Sequence, residues 1–257
     1  MSLKSEINTS ENKNGDSVEE EDSMGYIDSG KCGDNAEYTI YNDGVLTISG
    51  KGDMWDFKYF YSNNKEYHWN PDMINSVVIK DGITSIGEHS FNSSILSSVT
   101  IPGSVKKIGK SAFWNCKNLE SVKIPDGVSE IYECDFQNCT ALRHITLPDS
   151  IKLIGKEAFS KCTVLENIDI PAGVTEITER LFEGCESLTS ITIPDGVKVV
   201  GWRAFCNCKL LENTAIPESV TNIGIDVFKN DNNVMLLVKK GSYAENYAKE
   251  NNISFTA

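Results

Sequence analysis

Large apolar side chains recur along the chain with a spacing of 23 residues. An isoleucine or leucine begins each successive unit, at Ile101, Ile124, Leu147, Ile170, Ile193 and Ile216. An earlier copy begins at Ile79 and is one residue short. Proline follows the first residue of every full unit, and phenylalanine stands at its thirteenth position. Because a single residue of drift would destroy this register, the chain is predicted to be an elongated array of about seven repeats.

Each repeat contains two short stretches that are predicted to be extended. The first ends the unit as Leu-x-x-Ile-x-Ile, and its alternation predicts a strand with one buried face. Proline then stops the strand because it cannot donate to a ladder, and glycine or serine allows the turn. The second stretch, Val-x-x-Ile, precedes a corner that carries the phenylalanine. One coil cannot bury these side chains alone, so neighbouring coils are expected to stack around a shared core.

The repeat Ile-Pro-x-x-Val-x-x-Ile-Gly-x-x-Ala-Phe-x-x-Cys-x-x-Leu resembles the BspA-like class of leucine-rich repeats over residues 74–238. The resemblance implies a mainly β leucine-rich-repeat solenoid. Two positions depart from it, because Thr214 replaces a strand isoleucine and Asp231 replaces the cysteine of the last unit. The class also implies a non-enzymatic adhesion or protein-binding module of a secreted or cell-surface protein. Its partner would be a host or matrix protein or another cell-surface protein.

The N-terminal quarter of the chain differs from the repeats. Residues 25–73 include Tyr38–Tyr41 and Val45–Ile48 on either side of Asn-Asp-Gly, which predicts a β-hairpin that caps the first coil. Residues 1–24 contain seven acidic and two basic residues and few large apolar ones, so they are predicted to form a disordered acidic linker. They contain no segment of signal-peptide type, so the chain is either cytoplasmic or begins after a removed signal.

Residues 239–257 are predicted to cap the other end of the array. Ser242 and Glu245 form a Ser-x-x-Glu capping box, which predicts a short helix around Tyr243–Glu250. The side chains of Tyr243, Tyr247 and Ala248 are available for burial against the last coil.

Charge and hydropathy exclude two classes of partner. The chain carries 24 basic and 37 acidic residues, a net charge of −13, which would repel the phosphates of nucleic acid. The apolar runs are shorter than the roughly 18 residues that a membrane-spanning helix needs, so no membrane insertion is expected.

Five of the eight cysteines occupy a single position of the repeat, at Cys116, Cys139, Cys162, Cys185 and Cys208. We therefore interpret them as small, reduced core residues rather than as metal ligands or disulfide partners. Cys206 lies two residues before Cys208, but no second pair with zinc-site spacing accompanies it. The three histidines belong to no recognisable catalytic motif. We expect no catalytic residue, no metal and no cofactor.

The outward positions of the repeat strands form the predicted binding site. Alternation places them on one exposed sheet of small hydroxyl, amide and a few charged side chains, which supply hydrogen bonds at low desolvation cost. These residues are Ser98, Thr100, Ser121, Lys123, His144, Thr146, Asn167, Asp169, Ser190 and Thr192.

A cluster of seven aromatic residues between positions 54 and 69 suggests an alternative. The rings either form a plug over the first coil or offer a sugar-stacking platform built from Trp55, Tyr59, Tyr61 and Trp69, which would make the chain a carbohydrate or cell-wall binding module. A third alternative is a structural spacer within a larger surface protein.

Overall fold

The structure of the protein is a computed structural model that describes residues 25–57 and 69–257. The chain is a mainly β solenoid of about 8 turns of ~23 residues. The predicted fold is thereby confirmed. The predicted linker at residues 1–24 lies outside the described residues, as do four members of the aromatic cluster, Tyr59 and Tyr61 among them.

Short strands make up most of the regular structure. In chain order they are β1 (Tyr26–Lys31), β2 (Ala36–Tyr41), β3 (Val45–Gly50), β4 (Gly52–Asp53), β5 (Ser76–Ile79), β6 (Ile83–Ile86), β7 (Ser98–Thr100), β8 (Lys107–Ile108), β9 (Ser121–Lys123), β10 (Glu130–Ile131), β11 (His144–Thr146), β12 (Leu153–Ile154), β13 (Glu176–Ile177), β14 (Ile191–Thr192), β15 (Val199–Val200), β16 (Asn213–Ala215), β17 (Asn222–Ile223), β18 (Met235–Leu237) and β19 (Ser254–Thr256). A 3-10 helix spans Pro71–Met73, and the helix α1 spans Tyr243–Glu250.

Two lines of strands run along the solenoid. The front sheet contains the strands in the order β1-β2-β3-β5-β7-β9-β11, followed by β14-β16-β18-β19. An isolated parallel bridge between Asp169 and Thr192 extends the second group by one residue toward β11. The back strands form the smaller sheets β4-β6-β8, β10-β12 and β13-β15-β17. These are the two extended stretches that the repeat pattern predicts.

The N-terminal hairpin is present and starts the front sheet. Strands β2 and β3 pair in antiparallel register, with Tyr38 opposite Ile48, and β3 then pairs in parallel with β5 of the first coil. The added strand β1 pairs with the outer edge of β2. Sequence reasoning missed β1 because its residues are mostly exposed and do not alternate.

A column of phenylalanine rings forms the centre of the core. Stacked pairs run from Phe91 to Phe228 with ring centroids 5.3–5.8 Å apart. Six of these rings are completely buried. Each ring packs on the ring of the preceding coil, so every 23-residue repeat adds buried apolar area to the column.

The corner of each coil, the segment between its back strand and its cysteine position, depends on left-handed backbone. Two residues per corner have positive φ, for example Cys134 at 61° and Asn138 at 63° in one coil. The intervening amide groups bond to the next coil, as when Phe136 N donates to Ala158 O at 2.9 Å. Asparagine tolerates this conformation better than most residues, which explains its recurrence there.

One central coil departs from the rest in a way the repeat pattern did not reveal. All other coils except that of Thr178 begin the corner with glycine, and a Cβ built on Gly109 would lie 2.5 Å from the nitrogen of Glu88 in the preceding coil. Tyr132 occupies this position, and its N–H donates to Asp135 Oδ2 at 2.8 Å instead of joining the coil-to-coil bonds. Asp135 is fully buried, and burial raises the pKa of its carboxyl group to about 8.

The C-terminal helix is capped as predicted. The N–H of Glu245 donates to Ser242 Oγ at 3.2 Å, and Tyr247 and Ala248 are buried against the array. The expectation for Tyr243 was wrong, because its ring is 46% exposed. After the helix, β19 adds one more parallel strand beside β18 and ends the front sheet.

The two sequence departures lie inside the last coils. Thr214 is completely buried on β16, and its hydroxyl finds no hydrogen-bond partner among the residues that the structure describes. Asp231 takes the end of the cysteine column, where burial raises the pKa of its carboxyl group to about 7. Both side chains therefore introduce polarity where the other coils bury apolar groups.

Candidate functional site

The outward side of the front sheet, which we call the front face, carries all ten residues of the predicted binding site. Each of the ten is exposed, while the residues between them are buried, as at Ile145 and Ile168, or half-buried, as at Val99. The alternation deduced from the sequence therefore holds, because a strand with an apolar core on one side must direct every second side chain to solvent.

Parallel pairing arranges these side chains in two straight rows. Ser121 lies between Ser98 and His144 in one row, and Lys123 lies beside Thr146 in the other. The second row also contains Asp169 and Thr192, which a parallel bridge joins. Neighbouring strands are about 4.8 Å apart, so hydrogen-bonding groups repeat at regular short intervals along the solenoid.

Charges on the front face are few and separated. Lys123 and Asp169 have no ion-pair partner in the part of the chain that the structure describes, and both side chains are exposed. They are therefore available to opposite charges on a partner, whereas the surrounding serine, threonine and asparagine side chains offer neutral hydrogen bonds. His144 lies between these two charges along the array.

The front face extends further than sequence reasoning placed it. Its C-terminal end carries Met235 and Leu237, which are 39% and 41% exposed, beside Ala215. The predicted list stopped at Thr192 because β18 belongs to the last, irregular unit. The structure thus adds a small apolar area to an otherwise polar surface.

The aromatic cluster is divided by the structure. The ring of Trp69 is 3% exposed and packs on Phe91 at 5.8 Å, at the head of the phenylalanine column. Phe57 and Tyr38 cover it at 5.1 and 5.3 Å. Trp55 is 37% exposed and donates from Nε1 to Asp34. Burial removes Trp69 from any sugar-stacking platform, and the two rings at positions 59 and 61 lie outside the described residues.

The cysteine column lies in the core with its thiol groups directed at backbone carbonyls. Cys139 Sγ donates to Phe113 O at 3.2 Å, and Cys162 Sγ donates to Phe136 O at 3.1 Å. Burial raises the pKa of the Cys162 thiol to about 12. All eight cysteines are free. Within residues 25–57 and 69–257, no group of three or more histidine, cysteine or acidic side chains is arranged to hold a metal ion.

Solved structures of bacterial leucine-rich-repeat proteins resemble the chain. The leucine-rich-repeat protein of T. pallidum is 25% identical, with a TM-score of 0.62 over 85% of this chain and 94% of that chain. A leucine-rich-repeat protein of Eubacterium ventriosum is 24% identical, with a TM-score of 0.50 over 84% of this chain and 73% of that chain. One from Bacteroides ovatus is also 24% identical, with a TM-score of 0.51 over 86% and 66% of the two chains.

The repeats themselves match a known family. No curated protein sequence matches the chain. Within the described residues, no helix is long and apolar enough to cross a membrane. Residues 63–162 and 107–235 match the BspA type leucine rich repeat region in 6 copies. The chain therefore belongs to the BspA-type leucine-rich-repeat proteins.

Proposed function

We propose that the chain is a non-enzymatic module that binds another protein through the front face, as part of a secreted or cell-surface protein. The observation that carries this proposal is the pair of exposed, regularly spaced rows that cross the front sheet. Protein partners need a broad surface with many small contacts, and a stable interface buries about 800 Å² on each partner. A sheet that spans the whole array offers such an area without a deep pocket.

The stacked core beneath the front face supports this function. Rings 5.3–5.8 Å apart hold successive coils in register, so the outward side chains are arranged before a partner arrives. Preorganised groups lose less conformational freedom on binding, which leaves more of the contact energy as affinity. Family membership supports the same function, because leucine-rich repeats generally mediate protein interactions.

The partner that we propose is a host or matrix protein or a surface protein of another cell. The front face would contact it mainly through hydroxyl and amide groups, with Lys123 and Asp169 as the charged contacts. The exposed Met235 and Leu237 add an apolar contact at the C-terminal end. Interfaces that combine many polar contacts with a smaller apolar area are common among complexes that form and dissociate.

The test is binding of the full chain to immobilised fibronectin, collagen and laminin, measured by surface plasmon resonance. The site variant combines Lys123→Ala, His144→Ala and Asn167→Ala. The matched control combines Lys107→Ala, Glu176→Ala and Asn222→Ala, three exposed positions on the back strands.

We expect the site variant to lose binding at least tenfold while the control retains it. Equal loss in both variants would place binding elsewhere than on the front face. Absence of binding by the unmodified chain to all three proteins would favour the structural spacer.

A further inference from the structure

A column of side-chain amides runs along the corners, one residue before each cysteine position. Asn115 Nδ2 donates to Ser93 Oγ at 3.0 Å, and Asn138 Nδ2 donates to Asn115 Oδ1. Near the other end, Asn230 Nδ2 donates to Asn207 Oδ1 at 2.8 Å. Each amide donates to the preceding coil, so each Oδ1 is directed toward the following coil.

The column is broken over two coils in its middle. Lys161 and Gly184 occupy the positions at which asparagine would continue it. In consequence, Asn138 Oδ1 accepts no hydrogen bond from the described residues. On the far side of the break, Asn207 Nδ2 contacts only Cys206 Sγ at 3.4 Å. The two halves of the column thus end in an unused acceptor and a weakly used donor, three coils apart on either side of the break.

A polar groove of about 640 Å³ lies at this break. Gly184 and the small Ser160, which is 1% exposed, contribute little bulk to its lining, so the coil of Gly184 leaves open space where an amide side chain would lie. The volume falls within the range of small-molecule sites, about 300–1,000 Å³. The groove spans coils that repeat every 5.6–5.8 Å in the phenylalanine column beneath it.

The walls of the groove are held in place by their own contacts. Gln137 accepts from Trp114 Nε1 at 2.7 Å and donates to Glu157. On the other wall, the guanidinium groups of Arg180 and Arg203 lie 4.3 and 5.1 Å from the ring centroid of Trp202. Stacking against the indole restricts both arginine side chains, and this favours a rigid, preformed site.

We infer that this groove binds a short oligosaccharide of N-acetylated hexosamines. Each acetamido group carries the donor and acceptor of one carboxamide that the column lacks. Acetamido groups on successive sugars can therefore take the two missing positions, one donating to Asn138 Oδ1 and another accepting from Asn207 Nδ2. Ring hydroxyl groups both donate and accept, which suits a lining that alternates amide, guanidinium and carboxylate groups. Glu157 and Glu183 already pair with Arg180 and Arg203, and Lys209 pairs with Glu186. An electrically neutral sugar suits this lining because its charged groups are thus paired, with Lys161 as the exception among the described residues.

This site is distinct from the front face and uses none of its residues. It also differs from the aromatic alternative of residues 55–69. Binding at the groove and binding at the front face can therefore succeed or fail independently.

The test is isothermal titration calorimetry of the full chain with tri-N-acetylchitotriose. Cellotriose, which has hydroxyl groups in place of the acetamido groups, is the matched ligand control. A capped triglycine peptide supplies amides without sugar rings. We expect measurable binding of tri-N-acetylchitotriose and at least tenfold weaker binding of the other two ligands.

The decisive variant is Gly184→Asn, which inserts an amide into the break. Asparagine accepts left-handed backbone at φ 77°, and a Cβ there would meet its nearest neighbour, Lys161 Cγ, at an ordinary 3.5 Å. Gly241→Asn is the matched control, because Gly241 has φ 79° and open space around it. Lys161→Asn fills the other missing position and provides a second test.

We expect Gly184→Asn and Lys161→Asn each to weaken tri-N-acetylchitotriose binding at least tenfold with an unchanged or higher Tm, while Gly241→Asn binds like the unmodified chain. The front-face triple variant should also bind normally. The inference is overturned if the unmodified chain does not bind, if the filled variants bind as well as the control, or if cellotriose or triglycine binds equally.

Discussion

Asp135 makes the stability of the solenoid depend on pH in a way that a single substitution can isolate. The equivalent position in other coils is occupied by Ala112, Ala158 and Ala204, all of them buried. Asp135→Asn preserves the shape of the side chain and an oxygen that accepts from Tyr132 N–H. It removes the ability to ionise, so the difference between the two proteins reports the carboxyl group alone.

The sign of the effect follows from the direction of the shift. The folded-state pKa of about 8 lies above the unfolded-state value, so the folded protein binds the proton more tightly than the unfolded chain does. The stabilising contribution of the carboxyl group is complete below the unfolded-state pKa of about 3.9. It is lost as pH rises, and the loss levels off above the folded-state pKa.

The magnitude is set by the span between these two pKa values. Each pH unit within it changes the free energy of unfolding by about 1.4 kcal/mol, so the loss between pH 5 and pH 7 is roughly 2.5 kcal/mol. Asp135→Asn does not show this loss, because its side-chain amide does not ionise. The free energy of unfolding of the variant should therefore rise, relative to that of the unmodified protein, by roughly 2.5 kcal/mol over the same interval.

The assay is urea denaturation followed by circular dichroism at pH 5, 6 and 7 for both proteins. Asp149→Asn, which removes an exposed carboxyl group nearby, is the matched control and should show no such trend. Parallel pH dependences for the unmodified protein and Asp135→Asn would refute the reasoning, since the carboxyl group would then ionise in the folded state as it does in the unfolded chain.

Three further predictions concern the core. Phe136→Ala should lower the free energy of unfolding by about 3–5 kcal/mol, because the ring is completely buried between two others. Phe228→Ala, at the end of the column, should lower the free energy of unfolding clearly less. Equal losses of the two variants in urea titrations would contradict the stacking argument. Asp231→Cys should stabilise the protein. The folded-state pKa of the Asp231 carboxyl group, about 7, is raised above its unfolded-state value, so the gain in the free energy of unfolding should grow from pH 4 to pH 7. A gain that is constant with pH would point to packing alone. Cys134 is the one half-buried thiol, so Ellman's reagent should modify it before the others under native conditions. The Cys134→Ser variant should react with the reagent only on unfolding. Rapid reaction of that variant under native conditions would show that the cysteine column is accessible.

The repeat pattern was sufficient to predict the parts of the fold that every coil shares. Alternation identified the strands of the front sheet and the outward position of residues such as Lys123 and His144, because stacked coils must keep one register. The hairpin and the capped helix carry local turn and capping signals, and both were predicted.

Features that depend on what covers a residue were harder to predict. Tyr243 and Trp69 are both aromatic and both lie near an end of the array, yet one is exposed and the other heads the core column. Strand β1 exists because β2 offers a free edge rather than because its own sequence alternates. The break in the amide column is visible at Lys161 and Gly184, but its meaning depends on the hydrogen bonds of neighbouring coils.

The phenylalanine column also bears on how such a chain can change in length. The coil that begins at Ile79 is one residue short, yet Phe91 still stacks on Phe113 at 5.3 Å, with the rings tilted by 25° instead of 4° as in the next pair. A duplicated or deleted coil would create a junction of the kind already present at every other coil. Whole-coil changes can therefore lengthen or shorten the front face in steps, while each end keeps the same cap.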